Sequence, residues 1–448
     1  MVADAPPFTW TLGDAALATG GEVSGDATAV VSSVGTDSRG VVPGELFVAI
    51  RGETFDGHDF TRDAIRAGAA AVLVERGSSP DLGPRIDVED TSAALRDLAV
   101  QRRRQLTVPV AAITGSTGKT STKDLLAAAL PGSWAAPRSF NNEIGVPLTV
   151  LRTPQSATHV VLEVGSRGRG DIAWLAAAVK PDVAVIVNLG VVHLETFGTP
   201  EVLADAKWEL VEALDGGTAV LPVDEARLRR AVDGRLVTFG ESPEADVAAE
   251  DVELDDAGRP SFTLRTPEGS VHVHLTLSGR HLPVNAAAAT ATGLALGTEL
   301  GVIAEGLESA AGSPWRMEIH SGRFTVVNDA YNANPDSVAS ALRTVAAMPG
   351  RPVAVLGRMA ELGDVSMAEH ERIGLLADEL GFALVVVVGR DDGLAAGAGE
   401  IAVPAADEDA AMRILESQLH EDDVVLVKAS RAVGLETLAL KLAAEAAT

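Results

Sequence analysis

Residues 108–122 read Val-Pro-Val-Ala-Ala-Ile-Thr-Gly-Ser-Thr-Gly-Lys-Thr-Ser-Thr, and they restrict the fold of this chain more than any other stretch. A short apolar run ends in a loop flanked by Gly115 and Gly118, and the stretch from Asp124 to Leu130 continues with helical spacing. A strand turning through such a loop into a helix points the backbone N–H groups of Gly115, Ser116, Thr117, Gly118, Lys119, Thr120 and Ser121 toward one region, where the helix dipole adds positive potential. That is a cradle for a polyphosphate. Lys119 is expected to reach the terminal phosphates, and the Thr120 hydroxyl to ligate Mg²⁺. The commonest phosphate-loop spacing has its first glycine at position 113, which here is Ile113; the glycine falls instead at Gly115. The stretch predicts ATP, or a close relative, as ligand.

A chain of 448 residues is too long for one hydrophobic core and predicts about three domains. No apolar run approaches the length of a bilayer span, and no basic segment followed by an apolar one opens the chain. Neither membrane insertion nor a signal peptide is therefore expected. Cysteine is absent, which excludes disulfides and thiolate metal sites and agrees with a cytoplasmic location. The net charge of −27 argues against nucleic acid as a partner. Local basic clusters can still hold an anionic small substrate.

The first hundred residues form a small mixed segment with strand-like Leu46–Ile50 and Ala71–Val74. Arg102-Arg103-Arg104 leads into the phosphate-loop strand, after which buried strands alternate with Ala/Leu-rich helices, as in parallel α/β folds. Strands are predicted at 159–164, 183–188 and 218–221. Between about 245 and 278 the period shifts to two, predicting an antiparallel hairpin. An uncharged helix runs from about Asn285 to Leu296. Ser313-Pro314 reads as a linker, followed by four strand–helix repeats with strands near Phe324–Val327, Val353–Leu356, Leu384–Val388 and Val424–Val427. The predicted domains are residues 1–106, 107–312 and 313–448.

In open parallel sheets, ligands bind beyond the carboxyl ends of the strands, and the unusual polar residues gather there. They are Thr114 to Thr120, Glu163, Asn188 to His193, then Asp329-Ala330-Tyr331-Asn332-Ala333-Asn334, Gly357 to Glu361 and Lys428 to Arg431. Two sheets with facing polar edges would form a cleft over a nucleotide. Glu163 ends an apolar strand, a position suited to Mg²⁺. His193 by itself reads as an ordinary loop histidine. Lys207 lies on or beside the stripe of Leu203, Ala206, Leu210 and Leu214. Two readings fit it: a stem laid on the core with its ammonium in water, or a desolvated, reactive amine. Tyr331, the chain's one tyrosine, stands among amides suited to adenosine.

The ordered set Thr114 to Thr120, Asn141-Asn142-Glu143-Ile144-Gly145-Val146-Pro147, Glu163-Val164-Gly165, His193, Ala206-Lys207, Gly279-Arg280-His281 through Asn285, Arg316, and Asn328 to Asn334 resembles the Mur ligase family. These are ATP-dependent amide-forming enzymes of peptidoglycan synthesis. Within it, the motifs, together with Gly357-Arg358-Met359-Ala360-Glu361-Leu362-Gly363, are most similar to the branch that adds D-alanyl-D-alanine to UDP-N-acetylmuramoyl-tripeptide. The resemblance implies a small α/β UDP-substrate domain, a central mostly parallel-sheet ATPase domain and a C-terminal Rossmann-like domain, acting as a monomer. It implies Lys119, Glu163, His193 and Lys207 as catalytic residues. Thr120, Glu163, His193 and a carbamylated Lys207 would hold Mg²⁺. His281, Asn285, Arg316, Tyr331 and Asn332 would contact ATP with Asp329 near its phosphates. Ser38, Arg39, Arg51 and His58 are implied for the UDP-sugar, and Asn141 and Asn142 for the sugar or peptide.

Two departures leave roles open: Ser166-Arg167-Gly168-Arg169-Gly170 replaces a usual Asn-His pair, and Ala429 stands where glycine is usual. Alternatives are a sister ligase adding one amino acid, diaminopimelate or lysine, with the Asp-Asn-Pro-Arg segment typical of the diaminopimelate type not found here, and a non-catalytic nucleotide-binding relative. Loss of Lys119, Glu163, His193 or Lys207 would mark the latter, and all four are present.

Overall fold

The computed structural model describes residues 6–52, 54–78, 83–136, 139–190 and 194–447. Its three larger sheets follow one another along the chain. The first has five strands in the order Glu22–Ser24, Arg85–Val88, Ala71–Glu75, Glu45–Val48, Ser33–Gly35, with all pairs parallel except the first.

The second sheet has nine strands. Seven of them, from Trp134–Ala135 through Val160–Glu163, Val110–Thr114, Val183–Ile186, Thr218–Pro222 and Arg235–Gly240 to Val247–Leu254, pair in parallel. Val110–Thr114 lies inside because both of its faces are apolar: Val110 and Ala112 enter one core cluster, Ala111 and Ile113 the other. Helices Lys119–Ala129 and Leu282–Ala295 cover the second of these faces, and alanines 286–289 let the latter approach closely. The chain leaves Val110–Thr114 toward Val160–Glu163 on one side and later returns to Val183–Ile186 on the other. The carboxyl end of this strand is thus a topological switch point, where a crevice opens.

The hairpin expected after residue 245 is a three-stranded unit: Val247–Leu254, Pro260–Thr266 and Gly269–His274, antiparallel to one another, with the first also parallel to Arg235–Gly240. Strand Arg235–Gly240 escaped the sequence reading because its exposed start, Arg235-Leu236, interrupts the apolar signal.

The third sheet runs Glu318–Ser321, Thr325–Asn328, Asp423–Lys428, Arg351–Gly357, Leu384–Val388, Ala402–Ala405, parallel except for its antiparallel first strand. Ala402–Ala405 adds a fifth parallel strand to the four expected, and its Pro404 is tolerated because the strand is an edge.

The units are joined unequally. Helix Thr91–Gln105 carries Leu95 and Leu98 into one cluster that includes Leu46, Leu73 and Ile86 of the first unit and Ala112, Leu162 and Ile186 of the second. The third unit's two clusters lie on opposite faces of its own sheet, one containing Val327, Leu356 and Val387, the other Val326, Val355 and Val386. Hydrogen bonds between it and the central unit include Arg316 to Thr120, Ser313 to Asp124 and Ser340 with His281. Among the described residues, no helix is long and apolar enough to cross a membrane.

Candidate active site

A cleft of about 1440 Å³ opens between the carboxyl ends of the second and third sheets. Its floor is the loop from Ser116 to Ser121, and residues from both units line it, including Glu163, Asn188, His281, Asn285, Arg316, Asp329, Tyr331, Asn332, Glu361 and Lys428.

The loop geometry requires glycine twice. Gly115 and Gly118 have φ of +153° and +74°. An added Cβ at Gly118 would lie 2.9 Å from Asn285 Oδ1. Gly118→Ala is expected to weaken nucleotide binding by about tenfold or more through strain and displacement of Asn285, read by calorimetric titration with ATP. Asn188 pins the loop from behind, accepting Thr117 N–H at Oδ1 (2.9 Å) and donating to Thr117 Oγ1 (2.6 Å). Lys119 folds over the loop and donates to the carbonyls of Gly115 (2.7 Å) and Ser116 (3.2 Å). Burial lowers its pKa; Glu163 opposes the shift and Arg316 adds to it.

Thr120 is the hub. Its hydroxyl donates to Glu163 Oε2 (2.8 Å), so the contacts with Arg316 Nη2 (2.9 Å) and Ser139 Oγ (3.0 Å) are ones it accepts. Glu163 Oε1 receives Asn141 Nδ2 at 2.7 Å, and Asn142 Oδ1 accepts Gly145 N–H at 2.9 Å. Arg316 also stands 4.2 Å from the Tyr331 ring centre, stacked as a cation over the π face. A residue of the third unit therefore touches the phosphate-loop helix of the second. Ser139 was missed by the sequence reading, although it lies two residues before Asn141, which was not.

Two buried donors here lack a protein acceptor among the described residues: Asn285 Nδ2 and Arg316 Nε. Orphaned donors beside a glycine-rich loop fit an anionic ligand that supplies the missing acceptors. The Thr120 hydroxyl and Glu163 carboxylate form an all-oxygen pair, the donor chemistry of a hard cation such as Mg²⁺. His193, also expected at the metal, lies outside the described residues.

Lys207 is 1% exposed. Helix Pro200–Glu212 turns it inward, where Nζ donates to Ser166 Oγ at 2.8 Å and lies 5.9 Å from the Phe197 ring centre. Of the two readings its spacing allowed, the structure shows the desolvated amine. Burial drives its pKa well below that of an ordinary lysine; the charge of Lys119 pushes the same way, and Asp171 and Glu209 partly offset both.

On the opposite wall, Lys428 Nζ pairs with Asp329 Oδ2 at 2.6 Å and also donates to the Asn332 carbonyl at 2.8 Å, shaping the turn that presents Tyr331. His281 donates to or accepts from Ser340 Oγ through Nδ1 at 3.2 Å. Burial lowers its pKa from 6.5 to about 4. A depressed histidine favours folding in its neutral form, so the unfolded chain binds the extra proton first. Stability is expected to fall as pH drops from 6.5 toward 4, by at most about 3 kcal/mol, and His281→Asn should flatten that slope in urea titrations across the same window.

The four residues expected at the UDP-sugar stand apart from this cleft. Exposed Arg39 forks onto Asp37 (2.7 Å), whose carboxyl it holds down at about 2. Arg51 pairs with Asp56 (2.6 Å) and Glu75 (2.9 Å). Buried His58 has both nitrogens engaged, Nδ1 with Asp56 (2.6 Å) and Nε2 with the Glu75 N–H (3.0 Å). Ser38 lies in the same exposed turn as Arg39.

Comparison with known proteins agrees with this geometry. Residues 30–106 match the model for the Mur ligase family catalytic domain, 113–293 the Mur ligase middle domain, and 315–431 the Mur ligase glutamate ligase domain. The UDP-N-acetylmuramoyl-tripeptide–D-alanyl-D-alanine ligase of Escherichia coli strain K12 is 37% identical over 430 residues, covering 93% of this chain and 94% of that protein. The ligase of the same name from Mycobacterium bovis is 38% identical, covering 93% of each chain. A crystal structure of MurF from Acinetobacter baumannii superposes with a TM-score of 0.91 at 31% identity, covering 98% of this chain and 100% of that one. MurF ligase from Thermotoga maritima in complex with ADP gives 0.83 at 29%, covering 93% and 97%. With a phosphate loop, a facing third unit and full-length relatives above 30% identity, the chain belongs to the Mur ligase family.

Proposed function

We propose that this chain joins D-alanyl-D-alanine to UDP-N-acetylmuramoyl-tripeptide, driven by ATP, in peptidoglycan synthesis. The observation that carries the reading is the contact of Arg316 with Thr120 at 2.9 Å, which brings cations from two units to one phosphate cradle. In this reading residues 1–106 hold the UDP substrate through Ser38, Arg39, Arg51 and His58. Residues 107–312 and 313–448 close on ATP.

The tripeptide carboxylate attacks the γ-phosphorus, the bond to the β-phosphate oxygen breaks, and ADP leaves an acyl phosphate. The dipeptide amine, having lost a proton, then attacks the acyl carbon. The tetrahedral adduct collapses with expulsion of inorganic phosphate, and the amide remains. Charge accumulates on phosphoryl oxygens, so oriented cations supply most of the stabilisation. Lys119 and Arg316 supply it from opposite walls, and the backbone N–H groups of the loop hold the phosphates. Thr120 and Glu163, with His193 and carbamylated Lys207, would hold Mg²⁺, which when bound neutralises phosphate charge. Asn285 would give its orphaned Nδ2 to the nucleotide, and His281, Tyr331 and Asn332 would bound its base and ribose, with Asp329 behind them.

Purified protein with ATP, Mg²⁺ and the UDP-tripeptide should release phosphate only when D-alanyl-D-alanine is added. Release with a single amino acid instead would replace this reading by a sister ligase, and no release with any acceptor would overturn ligase activity.

A further inference from the structure

The linker that enters the third unit carries Arg316 between two residues whose backbones are left-handed, Trp315 at φ +62° and Met317 at φ +50°. Each such conformation costs a non-glycine residue of order 1–3 kcal/mol and persists only where neighbours enforce it. The third unit supplies part of that enforcement. Met317 N–H donates to Asp329 Oδ1 at 3.2 Å, and Tyr331 N–H donates to the Trp315 carbonyl at 3.2 Å. Both bonds hold the linker to its own unit, and neither fixes it against the phosphate loop.

The hold on that side comes from Asp124 of the central unit. On helix Lys119–Ala129 it stands one turn beyond Thr120, so the two side chains share a face. Asp124 Oδ2 accepts the Ser313 hydroxyl at 2.7 Å and the Ser313 N–H at 3.1 Å. Its other oxygen lies 2.9 Å from Lys123 Nζ, which is 2% exposed and donates to the Ala136 carbonyl at 2.8 Å. Lys123 thus anchors the carboxylate, and the carboxylate anchors Ser313. The linker is fastened to the phosphate-loop helix at two points: Ser313 on Asp124 and, three residues later, Arg316 Nη2 on Thr120 Oγ1 at 2.9 Å. A phosphate entering the loop competes for Arg316 and Thr120. It does not compete for Ser313, because the carboxylate beside it repels an anion.

We propose that Asp124 is a positioning residue for the nucleotide: it fastens the linker to the phosphate-loop helix so that Arg316 stands ready at the phosphates. This rests on the ATP-driven reading above. Asp124 touches no reacting atom. It raises the fraction of molecules in which Arg316 is in place, and the apparent affinity for ATP follows that fraction.

Calorimetric titration with ATP and Mg²⁺ tests this on the full-length protein, its S313A, D124N and R316A variants, and the doubles S313A/R316A and D124N/R316A. S313A and D124N are each expected to weaken ATP binding about five- to tenfold, the size of one lost hydrogen bond to a charged group. In the R316A background the same changes should cost less than about twofold, because no guanidinium remains to be positioned. A role in the fold alone, or direct contact with the nucleotide, would instead multiply with the loss from R316A. Unshifted ATP affinity in S313A, or equal losses with and without Arg316, overturns the proposal. S313A leaves the Lys123–Asp124 pair intact, so it and its double decide the question even if D124N fails to fold. A wild-type protein that does not bind ATP overturns the ATP-driven reading together with this one; wild-type binding with unshifted variants overturns only this one.

Discussion

Lys119→Ala is expected to lower turnover by about 10³-fold or more at saturating substrates, measured as phosphate release. The size of the effect follows from where the ammonium sits. Half-buried over the phosphate loop, Nζ donates among the described residues to the carbonyls of Gly115 and Ser116 at 2.7 and 3.2 Å, both of which can be exchanged for phosphate oxygens. In a water-poor cleft a cation facing developing phosphoryl charge acts at low dielectric and needs no reorganisation during the reaction. The same geometry predicts little loss of stability, since the side chain holds no other element in place. Lys119→Arg should not restore the rate, because a planar fork cannot take the compact position of an ammonium against the loop. Near-normal turnover in Lys119→Ala would remove the phosphate-cradle assignment.

Lys207→Ala is expected to reduce turnover by of order 10³-fold and to regain part of it when formate or acetate is added. A buried amine with its proton displaced is a nucleophile toward CO₂: nitrogen bonds to carbon, one N–H proton is lost, and a carbamate anion remains. As an ammonium, Lys207 would repel the nearby Lys119, whose charge already lowers its pKa. As a carbamate it would attract that charge and, in the reading proposed above, add oxygen ligands to those of Thr120 and Glu163. A short carboxylate can enter the space left by alanine and supply the same oxygens. Wild-type enzyme stripped of CO₂ should lose activity and recover it with bicarbonate. Full activity of Lys207→Ala without added carboxylate would sink the carbamate.

Much of the site was legible in the chain because it is local. Gly115 to Thr120 is a contiguous turn whose N–H directions follow from two glycines with positive φ. Glu163 and Asn188 were found because strand ends point their successors to one edge of a sheet. Lys207 was found but not resolved. Helical periodicity places a side chain on a face, whereas whether its amine reaches water depends on Ser166, Phe197 and everything packed above them. Ser139, which the sequence reading missed, and the pairing of Lys428, whose cluster it found, show the other limit. Each matters through a partner far away in sequence, Thr120 for one and Asp329 for the other, and no local pattern encodes such a pair. The hold of Asp124 on the linker was invisible for the same reason: its partner Ser313 lies 189 residues further along the chain.

From the chain alone came the α/β class, the position of the phosphate loop and the order of the polar clusters. Each of these depends on backbone preferences and on apolar spacing within a few residues. The folded molecule alone decided which clusters meet. Helix Thr91–Gln105 welds the first unit to the second through a shared apolar core, while the third unit faces the second across a polar seam where Arg316 finds Thr120. Burial is a property of the whole packed structure, and so Lys207 became a desolvated amine only when segments distant in sequence packed around it.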